Sequence, residues 1–117
     1  MQPSAYITPG LDHDKKTHMI HFIASNIEAE SPVVCINKIC KAFDRDYKDV
    51  LSKSRENPLP IIRHTSAVII KIKFNLNREQ TMALLNRCGS TYHNSHKIFL
   101  NFWDTDTAFR EKLFNLK

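Results

Sequence analysis

Ser90, Thr91, His93, Asn94 and His96 crowd into seven positions directly after Gly89, one of only two glycines in the chain, and directly before the apolar stretch "KIFLNFW". Hydroxyls, an amide and imidazoles at the mouth of an apolar helix suit nucleic-acid recognition. Ser and Thr hydrogen-bond base edges or phosphate, Asn pairs with two atoms of adenine, and exposed amides at a helix start attract phosphate. The plainer reading is that Ser90 caps the helix while His93 and Asn94 face water.

Other chemistries fit less well. His18-x₂-His21 and His93-x₂-His96 each put two imidazoles on one helical face, but zinc needs further ligands and second-shell acceptors. The sequence supplies none, so neither a metal nor any other cofactor is expected. Cys88, beside Arg87 and near His93, has the makings of a thiol–imidazole pair. A cysteine opening a helix in a turn is more often a packed thiol, and no other catalytic arrangement exists, so the chain reads as a non-enzyme. Asp44, Asp46 and Asp49 read as helix-start acids complementing the dipole. Cys35, Cys40 and Cys88 are odd in number and form no CxxC pair. They imply reduced thiols rather than a disulfide framework.

Charge is unevenly placed. Residues 51–100 carry eight Lys/Arg against two acids, a net of +6, while the rest of the chain holds nine basic and ten acidic residues, a net of −1. A localised basic segment is the electrostatic footprint of a polyanion binder. The longest apolar region, "SAVIIKIKF", is interrupted by Lys71 and Lys73, so no membrane contact is expected. The start "MQPSAYITPG" has no basic residues leading into an apolar core, and a cytoplasmic location is expected.

The elements that must position these residues read as helices. With two glycines in 117 residues, the turn chemistry of a many-stranded sheet is scarce. After a tail over residues 1–14, helical spacing of Met19, Ile20, Phe22, Ile23 and Ile27 marks a helix at about 15–29. Ser31-Pro32 starts the next, through Phe43, and residues 46–55 form a short third. "ENPLP" is a break. "VIIKIKF" has strand propensity, but no comparable strand exists to pair with it. It is assigned to a helix over about 61–74, with 61/62, 65, 68/69 and 72 on one buried stripe. Asn77 and Gln80 form a capping-box-like start to a helix through about Arg87. A longer helix over about 90–103 buries Tyr92, Phe99, Phe102 and Trp103, and a last one docks Phe109, Leu113 and Leu116. One all-α domain over 15–117, of about six helices, results.

A short helix, a glycine-containing turn and an amphipathic helix over about 77–103 make a helix-turn-helix, whose second helix reads the major groove. Residues 36–99 resemble the C-terminal DNA-binding domain of the bacterial replication initiator DnaA, a Trp-repressor-like helix-turn-helix. "DVLSKSR" (49–55) is similar to the family's "DLLSKxR". Arg63-His64 falls where the family has Arg-Gln, and "STYHNSHKI" (90–98) is similar to "TVLHACRKI". The resemblance implies a minor-groove contact for Arg63, with His64 beside it, and phosphate contacts for Lys53 and Arg55. It places Ser90, Thr91 and His93 at the recognition-helix start and a basic Lys97 near that helix's middle. The family's "GGRDHTT", whose Asp-His-Thr reads the initiator box, is here "NRCGS", and the Arg-rich loop is "ENPLPII". No G-x-x-x-x-G-K-[ST] exists, so an ATP-driven initiator is excluded.

These observations imply a non-catalytic protein that binds double-stranded DNA, in replication or transcription control. Lys53, Arg55, Arg87 and Lys97 would contact phosphate, and Thr91, His93 and Asn94 would contact bases. The helix over 15–29 is the expected surface for a homodimer or protein partner. The alternative is an adaptor that keeps the fold, has lost DNA binding and serves protein interaction.

Overall fold

A computed structural model describes residues 13–116, with side chains from Thr17 onward; the expected tail and Gly10 lie outside the described residues except for 13 and 14, which are helical. Seven α-helices follow in order: α1 His13–Asn26, α2 Pro32–Ala42, α3 Tyr47–Leu51, α4 Leu59–Phe74, α5 Arg78–Ala83, α6 Tyr92–Thr105 and α7 Thr107–Phe114. A single 3₁₀ turn, Gly89–Thr91, leads into α6, and no strand occurs among the described residues.

The "VIIKIKF" segment is helical, for a reason that differs from the expected stripe. Ile62 and residues 65–70 are all fully buried, and Ile61 nearly so, because α4 is the central helix, packed on α1, α2, α3, α5 and α6. A helix apolar on every side must be enclosed by others. Its β-branched side chains then serve core packing, each buried Ile contributing about 1.5–3 kcal/mol of transfer free energy. Pro60 sits in the first turn of α4, where a missing N–H costs nothing.

Local signals set the helix ends. The Ser31 hydroxyl accepts from Val34 N–H at 3.3 Å with Pro32 opening α2. At α5, Gln80 N–H donates to Asn77 Oδ1 at 2.7 Å and Asn77 N–H donates back to Gln80 Oε1 at 3.0 Å. Three helices stop without glycine. Asp44, Asn75 and Asn86 take left-handed φ of 58°, 54° and 58°. The residue after each donates its N–H five residues back, to Cys40, Lys71 and Met82. These are Schellman ends built on the residue types that tolerate that conformation. Asp44 thus ends α2 rather than starting α3; Asp46 holds the start, with Asp49 accepting its N–H at 3.4 Å.

On α1, Met19, Ile20, Ile23 and Ala24 are buried, facing α4 within the same chain. The apolar stripe of the helix expected to meet a partner is therefore part of this chain's own core. Phe99, Trp103 and Phe109 join the core as expected, with Phe99 and Phe109 edge-to-face at 5.6 Å, while Tyr92 and Phe102 are only half-buried.

Candidate nucleic-acid interface

The site is built around a short loop that two arginines hold in shape. Arg63, on α4, is 6% exposed. Its Nε donates to Val50 O at 2.7 Å, Nη1 to Ser54 O at 2.6 Å, and Nη2 to Ser52 O at 2.9 Å and Asp49 O at 3.2 Å. Arg87 comes from the other side, with Nη2 donating to the same Ser52 O at 2.8 Å and Nη1 to Asn86 O at 2.9 Å. The arginines thereby supply donors to Val50, Ser52 and Ser54 carbonyls at the end of α3 and in the turn after it, while Asp49 O also accepts from Ser52 N–H at 3.2 Å. Between these anchors Lys53 and Arg55 are exposed.

Arg63 is thus a correction to the sequence reading. A guanidinium bonded to four carbonyls is not available to reach into a minor groove; it shapes the loop that presents Lys53 and Arg55. Its helical neighbours at i+4 and i+7, Ala67 and Ile70, are fully buried, which is the sequence signal that it faces inward. Burial first, and then the nearby Arg87, lower its pKa from the ordinary arginine value, yet a guanidinium remains charged at neutral pH.

The other wall is the start of α6. Asn86 turns the chain after α5, and its Nδ2 donates to Leu51 O at 3.1 Å, while the Tyr47 hydroxyl donates to Leu84 O. Gly89 is required for space rather than for turn geometry. A Cβ there would lie 3.1 Å from Glu79 Cα, so α5 and the start of α6 approach so closely that a side chain would push them apart by a few tenths of an ångström. Cys88, not Ser90, occupies the cap position of the 3₁₀ turn. Its thiol lies 3.3 Å from Ser90 Oγ, and Thr91 Oγ1 donates to Cys88 O at 2.7 Å. Hydrogen bonds from Ser90 lower the Cys88 pKa.

Loop and helix start face one another across an open groove of about 780 Å³. Its walls carry Lys53, Arg55, Arg63, His64, Arg87, Thr91 and Asn94, with Pro60, Met82, Asn86, Cys88 and Ser95 between them. Seven of the ten residues singled out in the sequence therefore meet in one place, although they span more than forty positions of the chain. Among the described residues no carboxylate lines the groove; Glu79 packs against Gly89. Ser90, Thr91, His93, Asn94 and Lys97 are exposed, so the helix end is not occluded by the core. Lys97 lies one turn along α6 in a shallow hollow shared with Asn94. His93 does not join the set: it faces the opposite flank of α6, beside Lys71 and Arg78.

His64 fixes the angle between the walls. Its Nδ1 lies 2.9 Å from Ser95 Oγ, tying α4 to α6. Burial, and secondarily the Arg63 charge, hold its pKa below 6.5, so the imidazole is neutral at pH 7. Sequence reasoning missed Asn86, Cys88 and Ser95 as groove residues, and Ser52 as the carbonyl both arginines share. Backbone acceptors leave no mark in side-chain chemistry.

Two further observations bear on the excluded chemistries. Among the described residues no three His, Cys, Asp or Glu side chains come together as a metal site, and no helix is long and apolar enough to cross a membrane. Comparison with protein-family models, curated proteins and solved structures finds no match to this chain. The resemblance to the initiator's DNA-binding domain rests on the motifs quoted for it.

Proposed function

We propose that this protein binds double-stranded DNA, without catalysis, through a Trp-repressor-like helix-turn-helix formed by α5 and α6. The observation that carries the reading is the convergence of Lys53, Arg55 and Arg87 with Thr91 and Asn94 around one uncovered helix start. An α-helix fits the major groove, whose walls are phosphate strands that cations must meet. Lys53, Arg55 and Lys97 supply phosphate contacts, and Arg87 adds one from its anchored position. Asn94 and Thr91 face bases from the first turn. With the initiator's Asp-His-Thr absent, base preference is weak or of another kind.

The internal role of Arg63 favours the second reading, an adaptor that meets another protein through the same surface. Salt dependence separates the two. With about four phosphate contacts, affinity for a duplex falls roughly 100-fold between 50 and 200 mM salt. Lys53→Gln and Arg55→Gln each flatten the log–log slope by about one unit. Fluorescence anisotropy on a labelled duplex reads both. No duplex binding at 50 mM salt would leave the adaptor as the standing account.

A further inference from the structure

The opposite flank of α6 carries a second cationic groove, which the site described above does not use. Four helices build it, enclosing about 380 Å³: His21 comes from α1, Lys71 from α4, Arg78 from α5, and His93 and His96 from α6. Tyr92 lies at its floor. Lys71 Nζ stands over the Tyr92 ring, 5.2 Å from its centroid, and the His96 ring lies 6.3 Å from the Tyr92 ring, tilted by 40°. Burial pushes the Tyr92 phenol up to about 12, so at neutral pH it is a hydroxyl and not a phenolate. Among the described residues no Asp or Glu lines this groove either.

The arrangement follows from the helical repeat. At about 100° per residue, Thr91, Asn94 and Ser95 turn to one side of α6 and Tyr92, His93 and His96 to the other. Lys97, which is exposed, falls between the two sets. Two basic grooves thus run along the two sides of one projecting helix. Duplex DNA offers the matching pattern: a helix in the major groove has a phosphate strand on each side, roughly 12 Å apart.

We propose that His21, Lys71, Arg78, His93 and His96 form a second phosphate-binding site, which takes the DNA strand opposite to the one held by Lys53 and Arg55 and tightens as its imidazoles gain protons. The strand assignment rests on the function proposed above. The proton linkage rests on this groove alone. Lys71 and Arg78 give the groove fixed positive charge. A bound phosphate favours the charged form of any imidazole beside it, so binding takes up protons, and by reciprocity lower pH strengthens binding. Among the described residues, Lys71 from α4, Arg78 from α5 and the neutral Tyr92 from α6 line the groove with the imidazoles. His64, in the first groove, is the other imidazole near the duplex; burial and then the Arg63 charge lower its pKa.

The test uses the full chain, a labelled 16-base-pair duplex and constant ionic strength. From pH 8 to pH 6 the wild type gains roughly tenfold or more in affinity, and its log–log salt slope steepens by about two units. Combining His21→Gln, His93→Gln and His96→Gln collapses that gain to about the share that His64→Gln alone removes. Lys71→Gln with Arg78→Gln weakens binding at both pH values, whereas Lys112→Gln, on α7, changes nothing. The full pH gain surviving in the triple variant would overturn the proposal. Inorganic pyrophosphate, followed by the histidine ring-proton signals at pH 6, separates the two layers of the argument. If the duplex does not bind, signals of His21, His93 and His96 that move with pyrophosphate, and do not move in the Lys71/Arg78 variant, uphold the phosphate site and remove the DNA strand from it. Unmoved signals overturn the site itself.

Discussion

Arg63 shows how little a residue's type says about its place. As an arginine in a basic segment it reads as a ligand contact, yet it donates to Val50, Ser52, Ser54 and Asp49 carbonyls from a buried position. Removing it leaves acceptors without donors, so Arg63→Ala lowers stability by about 2–3 kcal/mol and loosens residues 52–55. Arg63→Lys does not restore the loss, since one ammonium cannot span four carbonyls. Chemical denaturation measures both. The thiols give a second residue-scale prediction. Cys35 and Cys40 are buried, and burial pushes each to about 11, whereas Cys88 is exposed with its pKa lowered by Ser90. A thiol reagent at pH 7.5 therefore titrates one cysteine in the native protein and three in denaturant, and bound duplex slows that one. His64 adds a pH dependence of stability. Its pKa is depressed below 6.5 in the fold, so the unfolded chain binds the proton first. Stability is full above pH 6.5 and falls as pH drops below it, levelling off once the native imidazole also protonates. The loss in melting temperature between pH 7 and pH 5 is smaller in His64→Gln than in the wild type.

At the scale of elements, the signals that were legible were the strictly local ones. The Ser31-Pro32 start, the Asn77–Gln80 box and the Phe109, Leu113, Leu116 docking face can each be read from a few neighbouring residues. The α4 segment read correctly as a helix but wrongly as one-sided, because its enclosure depends on five other helices at once. The α5–α6 turn is legible in the sequence, but the separate roles of its residues are not. Asn86 supplies the left-handed residue, and Gly89 supplies the close approach to Glu79. Two substitutions tell these roles apart. Asn86→Ala costs about 1–2 kcal/mol in backbone strain and also loses the bond to Leu51, whereas Asn86→Gly recovers most of the strain. Gly89→Ala forces α5 away by a few tenths of an ångström and costs about 1 kcal/mol. It also shifts the start of α6, so duplex affinity falls along with melting temperature.

For the whole molecule, the excess positive charge of residues 51–100 was visible in the sequence, but its division over two flanks of α6 was not. His93 was expected beside Thr91 and instead belongs with His21, seventy-two positions away, because only the packing of α1 on α4 brings α1 to that side. The central claim is geometric: the exposed start of α6 and the cations around it form a duplex-binding face, and the surface of α7 and α2 does not. Amide chemical-shift mapping with a short duplex at low salt tests it most directly. The account predicts shifts concentrated at residues 52–55 and 87–97, with Glu111 and Lys112 on α7 and Asn37 and Lys41 on α2 unmoved. Shifts centred on α7 and α2, or none at a duplex concentration that saturates a weak site, would contradict it.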